Sequence, residues 1–176
     1  MSRKPRVYLA GPDVFFYRPT VLGERLKKFA ANIGLEGLYP LDAEIELLNR
    51  PATPVPGEMI VIKRENARMI REANMAMIRK ADAVCANMIP FRGPSADVGT
   101  AWEMGYAAGL GKIVSSYSHN EKTYAERVLP DNFQVEDFLL HDNLMLAGAM
   151  HFTSVEKALD WIAKVFEARV RDGVWP

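Results

Sequence analysis

The chain has a single cysteine, no excess of either charge and no long apolar run. One cysteine in 176 residues, Cys85, excludes an internal disulfide and fits a reducing compartment. It sits in the apolar run Ala83-Val84-Cys85-Ala86, where a small buried core residue is expected. Lys plus Arg total 22 and Asp plus Glu total 22, so the formal charge is zero. A polyanion-binding protein usually carries a basic excess, so nucleic acid is not an expected partner. Zero charge also does little to oppose self-association. No window approaches the ~20 apolar residues of a membrane span, and no signal segment precedes the first strand. The expectation is a cytoplasmic protein of one domain, residues 1–176.

Phosphate-binding glycine signatures are missing too. There is no Gly-x-x-x-x-Gly-Lys-Ser/Thr loop and no Gly-x-Gly-x-x-Gly after a strand. His119, His141 and His151 lack metal-ligand spacing and read as polar surface residues. Neither a metal nor a cofactor is signalled.

What is present alternates between two periods. Arg6 to Ala10 reads as a strand closed by Gly11-Pro12, and Thr20 to Ile33 carries helical spacing stopped by Gly34. Leu35 to Tyr39 is a second strand. Residues 41–57, with Pro51, Pro54 and Pro56, form a loop suited to lie over a site. A long helix spans Met59 to Arg79, with Met69 and Met77 among its packing residues. Ala81 to Ile89 is a strand apolar enough to be buried on both faces. Asp97 to Leu110 is a helix and Lys112 to Tyr117 a strand. Short helices are expected at Glu121 to Val128 and Val135 to Leu140, and a short fifth strand at Leu144 to Leu146. Ser154 to Val170 is the last helix. Alternating strands and helices imply a parallel sheet with helices on both faces, and ligands at the carboxyl ends of its strands.

Glu103 is the only charged residue between Val98 and Gly111. A helix this apolar is mostly buried, and a buried carboxylate has either a partner or a task. Its helical neighbours Gly99, Thr100 and Ala107 are small and leave room for a ligand. A cation from another element is the competing explanation. Asp97 is the natural N-cap of the same helix and also lies where a sugar hydroxyl could meet it. Arg92 and Gly93 in the preceding loop are candidate phosphate contacts. Phe15, Phe16 and Phe91 either exclude water from a site or belong to the core.

The segment from Phe91 to Ala107 contains Asp97-Val98-Gly99-Thr100-Ala101-Trp102-Glu103-Met104-Gly105, which resembles the signature of the nucleoside 2-deoxyribosyltransferase family. Tyr8-Leu9-Ala10-Gly11-Pro12 and Asn143-Leu144-Met145 resemble two further motifs of that family, in the same order. The resemblance implies a flavodoxin-like, doubly wound, parallel five-stranded sheet. It implies that Glu103 is a nucleophile oriented by Tyr8, and that Asp97 holds the sugar 5'-hydroxyl. It implies substrate contacts at Gly11, Phe16, Asp42, Glu44 and Asn74. Asn143 and Met145 would reach the active site of a neighbouring subunit in a dimer or hexamer. Asn74 and Glu44 stand where the best-known members carry an Asp and a Gln for the nucleobase; an amide such as Asn74 cannot donate a full proton.

The reaction so implied transfers a 2-deoxyribosyl group between nucleobases through a covalent glycosyl-enzyme, with slow hydrolysis beside it. Its substrates would be deoxynucleosides and free bases, with no cofactor. Two alternatives stand against it. A 2'-deoxynucleoside 5'-monophosphate N-hydrolase would share the glutamate, although Asp97 would repel its phosphate. A non-catalytic nucleotide-binding module would leave Glu103 structural.

Overall fold

A computed structural model describes residues 3–49, 51–53 and 55–175. Pro54, one of the loop prolines, lies outside the described residues. The elements run β1 (Arg6–Ala10), α1 (Pro19–Asn32), β2 (Glu36–Leu38), α2 (Glu58–Lys80) and β3 (Ala83–Asn87). They continue with α3 (Val98–Gly109), β4 (Ile113–Tyr117), α4 (Tyr124–Arg127), β5 (Met150–Phe152) and α5 (Val155–Arg171). The five strands are all parallel, in the order β2-β1-β3-β4-β5. This is the doubly wound order in which the chain reverses direction across the sheet between β1 and β3.

The period of two along the central strands builds two cores. Val7 and Leu9 of β1 join Ala83 and Cys85 of β3 on one face, under Leu26 and Ala30 of α1 and Leu159, Ile162 and Phe166 of α5. Tyr8 and Ala10 join Val84 and Ala86 on the other face, with Ile78 of α2 and Met104 and Ala107 of α3. All five residues of β3 are buried, as a central parallel strand requires. Cys85 is buried and unpaired, in the core position expected of it.

Helix ends follow local chemistry. Asp97 accepts from the Thr100 amide at 3.0 Å and caps α3. Lys112 donates to the Arg79 carbonyl at 2.9 Å and to that of Ala81, closing the last turn of α2. Among the described residues, no helix is long and apolar enough to cross a membrane.

Two expectations are corrected. Residues 144–146 form a 3-10 turn, not a strand, because the Asn143 side chain accepts the Met145 amide and bends the chain. The fifth strand lies later, at Met150–Phe152. Residues 135–140 form no helix: Asp137 accepts the Leu139 amide, and Leu139 takes a left-handed backbone conformation.

Candidate active site

Tyr8 faces α3 because it is an even-numbered residue of β1, and Glu103 faces β1 because it sits one helical turn from Thr100 and Ala107 on the buried side. They meet at 2.7 Å, with the Tyr8 hydroxyl donating to Glu103 Oε1. Tyr8 is completely buried. Burial and the adjacent carboxylate hold its phenol far above the ordinary range, so it stays a donor. The cation expected as the competing explanation is not there: among the described residues no Lys or Arg bonds Glu103. Burial pushes the Glu103 carboxyl up to about 7; the Tyr8 bond pulls it down, and the Asp97 charge pushes it up.

Glu103 opens onto a cavity of about 460 Å³, lined by Ala67, Ile70, Arg71 and Asn74 of α2 and Gly99 and Trp102 of α3. Gly99 is the small neighbour the sequence offered as ligand space. Asn74 reaches this cavity, and its Oδ1 is buried without a hydrogen-bond partner among the described residues. Asp97 bonds Thr100 through Oδ2 alone. Among the described residues its Oδ1 has no protein partner.

Gly11 stands at the carboxyl end of β1 where a side chain has no room. A Cβ there would strike the Asp13 carboxylate and come within 2.8 Å of Asn87 Cβ. Phe15 stacks on Phe91, with centroids 5.4 Å apart, and Phe16 tilts against Phe91 at 6.4 Å. Arg92 lies over both Phe15 and Phe91. Phe15 and Phe16 are exposed, which sets aside a core role for them.

Other expected site residues are placed elsewhere. Asp42 accepts from Lys27 at 2.6 Å and from the Tyr39 amide at 3.0 Å, and neither it nor the exposed Glu44 lines the Glu103 cavity. Asn143 and Met145 also do not line it; Met145 is 81% exposed on its turn. His141 and His151 are not plain surface residues. Their rings stack at 4.1 Å, and His151 Nδ1 shares a hydrogen bond of 2.9 Å with Ser116.

Sequence reasoning missed three arrangements. Asp13 is 5% exposed, and the Asn87 amide lies 3.1 Å from each of its oxygens. The Arg127 and Asp142 side chains form a buried ion pair at 3.5 Å, and Asp142 also accepts the Ala96 amide at 2.8 Å, one residue before Asp97. Arg71 lies over Trp102 at the cavity wall. Only Arg71 had a visible signal, its place three residues before Asn74 on one helix face. No group of three or more His, Cys, Asp or Glu able to hold a metal occurs among the described residues.

Comparison with known proteins places the chain in a family. A family model described as nucleoside 2-deoxyribosyltransferase matches residues 7–145. A 2-desoxiribosyltransferase from Leishmania mexicana superposes with a TM-score of 0.68 at 30% identity, over 91% of this chain and 97% of that one. A conserved protein from Enterococcus faecalis superposes with a TM-score of 0.58 at 19% identity, over 92% and 98%, and shares the fold. An uncharacterized protein of Schizosaccharomyces pombe is 32% identical over 125 residues, or 70% of this chain. The chain matches only 54% of that relative's length. With its parallel sheet order, its superposition on the Leishmania enzyme and a family match over most of its length, the chain belongs to the nucleoside 2-deoxyribosyltransferase family.

Proposed function

We propose that the protein transfers a 2-deoxyribosyl group from one nucleobase to another through a covalent glycosyl-enzyme on Glu103, with slow hydrolysis as a side reaction. The observation that carries this reading is the Tyr8–Glu103 contact of 2.7 Å at a cavity where, among the described residues, no cation bonds the carboxylate. A structural glutamate would be paired. A nucleophile needs one oxygen held and the other free.

Breaking the glycosidic bond develops positive charge at the anomeric carbon, and a carboxylate on the opposite sugar face traps it. A 2-deoxy sugar lacks the electron-withdrawing 2'-hydroxyl, so its cation is easier to reach. The second base attacks from the original side, and the configuration is retained. The free Oδ1 of Asp97 is suited to accept the sugar 5'-hydroxyl while Oδ2 keeps the helix cap. The same carboxylate disfavours a 5'-phosphate, which speaks against the nucleotide hydrolase.

The test offers 2'-deoxyguanosine as donor, with and without free hypoxanthine or adenine, and separates the products. A new deoxynucleoside formed only with the added base supports transfer. Base release without exchange would assign a hydrolase, and no release at all a binding module.

A further inference from the structure

The cavity that holds Glu103 also holds Arg71, a cation that forms no ion pair among the described residues. Arg71 and Asn74 share one face of α2 and line the cavity with Glu103. One turn earlier, Arg68 is bonded by Glu65 at 2.5 Å and Glu72 at 2.6 Å. Arg71 has no carboxylate partner among the described residues. Its guanidinium lies over the Trp102 ring instead, 5.4 Å from the centroid. Trp102 stacks on Tyr106 at 5.1 Å, and the Tyr106 hydroxyl accepts from Arg79 at 3.1 Å. This ladder holds the guanidinium beside the indole, and among the described residues no acceptor engages its N–H groups, which leaves them available.

A departing nucleobase carries off the electron pair of the broken bond. It needs a proton or a fixed positive charge. Asn74 supplies no proton, because a side-chain amide is not an acid. Resting on the glycosyl-enzyme reading above, we infer that Arg71 is the catalytic group that takes up the negative charge of the departing base, through paired hydrogen bonds to adjacent acceptors on its edge. That fork matches 6-oxopurines, in which N7 and O6 are both acceptors. A 6-aminopurine places a donor beside N7, so only one of the two bonds can form.

The step balances. The bond from C1' to N9 breaks, and its electron pair goes to the base. A Glu103 carboxylate oxygen forms the new bond to C1'. The base leaves as an anion held by Arg71 and takes a proton from solvent water. The incoming base loses its N9 proton to solvent as it attacks C1', and Glu103 regains its electron pair.

Three donors separate this role from a structural one: 2'-deoxyinosine, 2'-deoxyadenosine and 7-methyl-2'-deoxyguanosine. The last has its N7 blocked, and its base leaves neutral, so it needs no electrophile. Wild type should use deoxyinosine faster than deoxyadenosine. Arg71→Gln should lower kcat/KM for deoxyinosine by about 5- to 150-fold, the range for losing a bidentate arginine contact. It should lower deoxyadenosine less and leave the 7-methyl donor as fast as in wild type. Arg71→Lys, which keeps charge without the fork, should fall between wild type and Arg71→Gln on deoxyinosine. Equal losses on all three donors, or no loss on deoxyinosine, would overturn the role of Arg71. Faster use of deoxyadenosine by wild type would overturn the base class. Glu103→Ala run beside them should be inactive on every donor; its activity on the 7-methyl donor would instead overturn the nucleophile.

Discussion

The Tyr8 hydroxyl and Glu103 Oε1 are 2.7 Å apart although the two residues are separated by 95 positions in the chain. The contact joins a central strand to a surface helix and fixes one carboxylate oxygen. The other oxygen remains for chemistry. Glu103→Ala should therefore lose at least about 10³ of the transfer rate, since the nearby Asp97 carboxylate is held at the helix cap and does not replace it. Circular dichroism should show an intact fold. Mass spectrometry of wild type quenched during turnover should find one 2-deoxyribosyl group on the peptide containing Glu103. Near-normal transfer by folded Glu103→Ala would refute the mechanism.

The same contact sets a pH dependence. Glu103 works ionised, and its carboxyl is pushed up to about 7, chiefly by burial. kcat/KM should climb with pH and level off above that value. Tyr8→Phe removes the hydrogen bond that lowers the carboxyl, so its rising limb should move to higher pH. Stability runs the other way. A folded-state value above the unfolded one of about 4.3 contributes stability that is full below that pH and is lost as pH rises through about 7. Glu103→Gln should remove this loss, and its melting temperature should exceed that of wild type at pH 8. Parallel melting curves of the two proteins from pH 5 to 8 would refute the burial argument.

Asp97 divides its two oxygens between α3 and the proposed sugar contact. Wild type should use a deoxynucleoside far better than its 5'-monophosphate. Asp97→Asn keeps an oxygen for the cap and should narrow that gap while costing under ~1 kcal/mol in stability. Substrate competition assays measure the ratio directly. A wild type that prefers the monophosphate would move the assignment to nucleotide hydrolysis.

How much of this was legible in the sequence depends on range. Strand β1 and helices α1, α2, α3 and α5 followed from the spacing of their apolar residues, although α2 fully buries only Ile78. Glu103 stood out as a lone charge in an apolar helix, and its link to Tyr8 followed only from the resemblance. Strand β5 was missed because Met150-His151-Phe152 is less apolar than Leu144-Met145-Leu146, the run that drew the strand assignment. The Arg127–Asp142 and Asp13–Asn87 pairs were invisible because each joins an element end to a separate segment, 15 and 74 positions apart, beyond any local spacing rule. Unlike Glu103, these four polar residues have no apolar helix around them to mark their burial.

Asp13 and Asn87 carry a stability prediction. Burial raises the Asp13 carboxyl, and the Asn87 amide is its only side-chain donor among the described residues. Asn87→Ala strips that buried carboxyl of its side-chain donor, at a cost of about 1–3 kcal/mol. At about 2–4 °C per kcal/mol for a chain of this size, the melting temperature should fall by several degrees. Asp13→Ala in the Asn87→Ala background should recover part of the loss, since it removes the stranded group. A double variant no more stable than Asn87→Ala would show that the pair matters for shape alone.

The last prediction concerns where Asn143 acts. Within one chain, Asn143 and Met145 lie on an exposed turn and do not line the Glu103 cavity. Ile70 of α2 and Trp102 of α3 line that cavity and are exposed, and Ile60 and Val61 of α2 and Val98 of α3 are exposed on the same two helices, apolar surface suited to a second copy. If a partner completes the site, each active site combines Glu103 of one chain with Asn143 of the other. Glu103→Ala dimers should then be inactive at both sites, and Asn143→Ala dimers strongly impaired at both. In a hybrid dimer one site receives both substitutions and the other receives neither. Refolding the two variants together should restore about a quarter of wild-type activity if pairing is random, because half the dimers are hybrids with one intact site each. Each variant refolded alone is the control. Recovery no better than the mean of the controls, with hybrids confirmed by mass, would place the whole site within one chain.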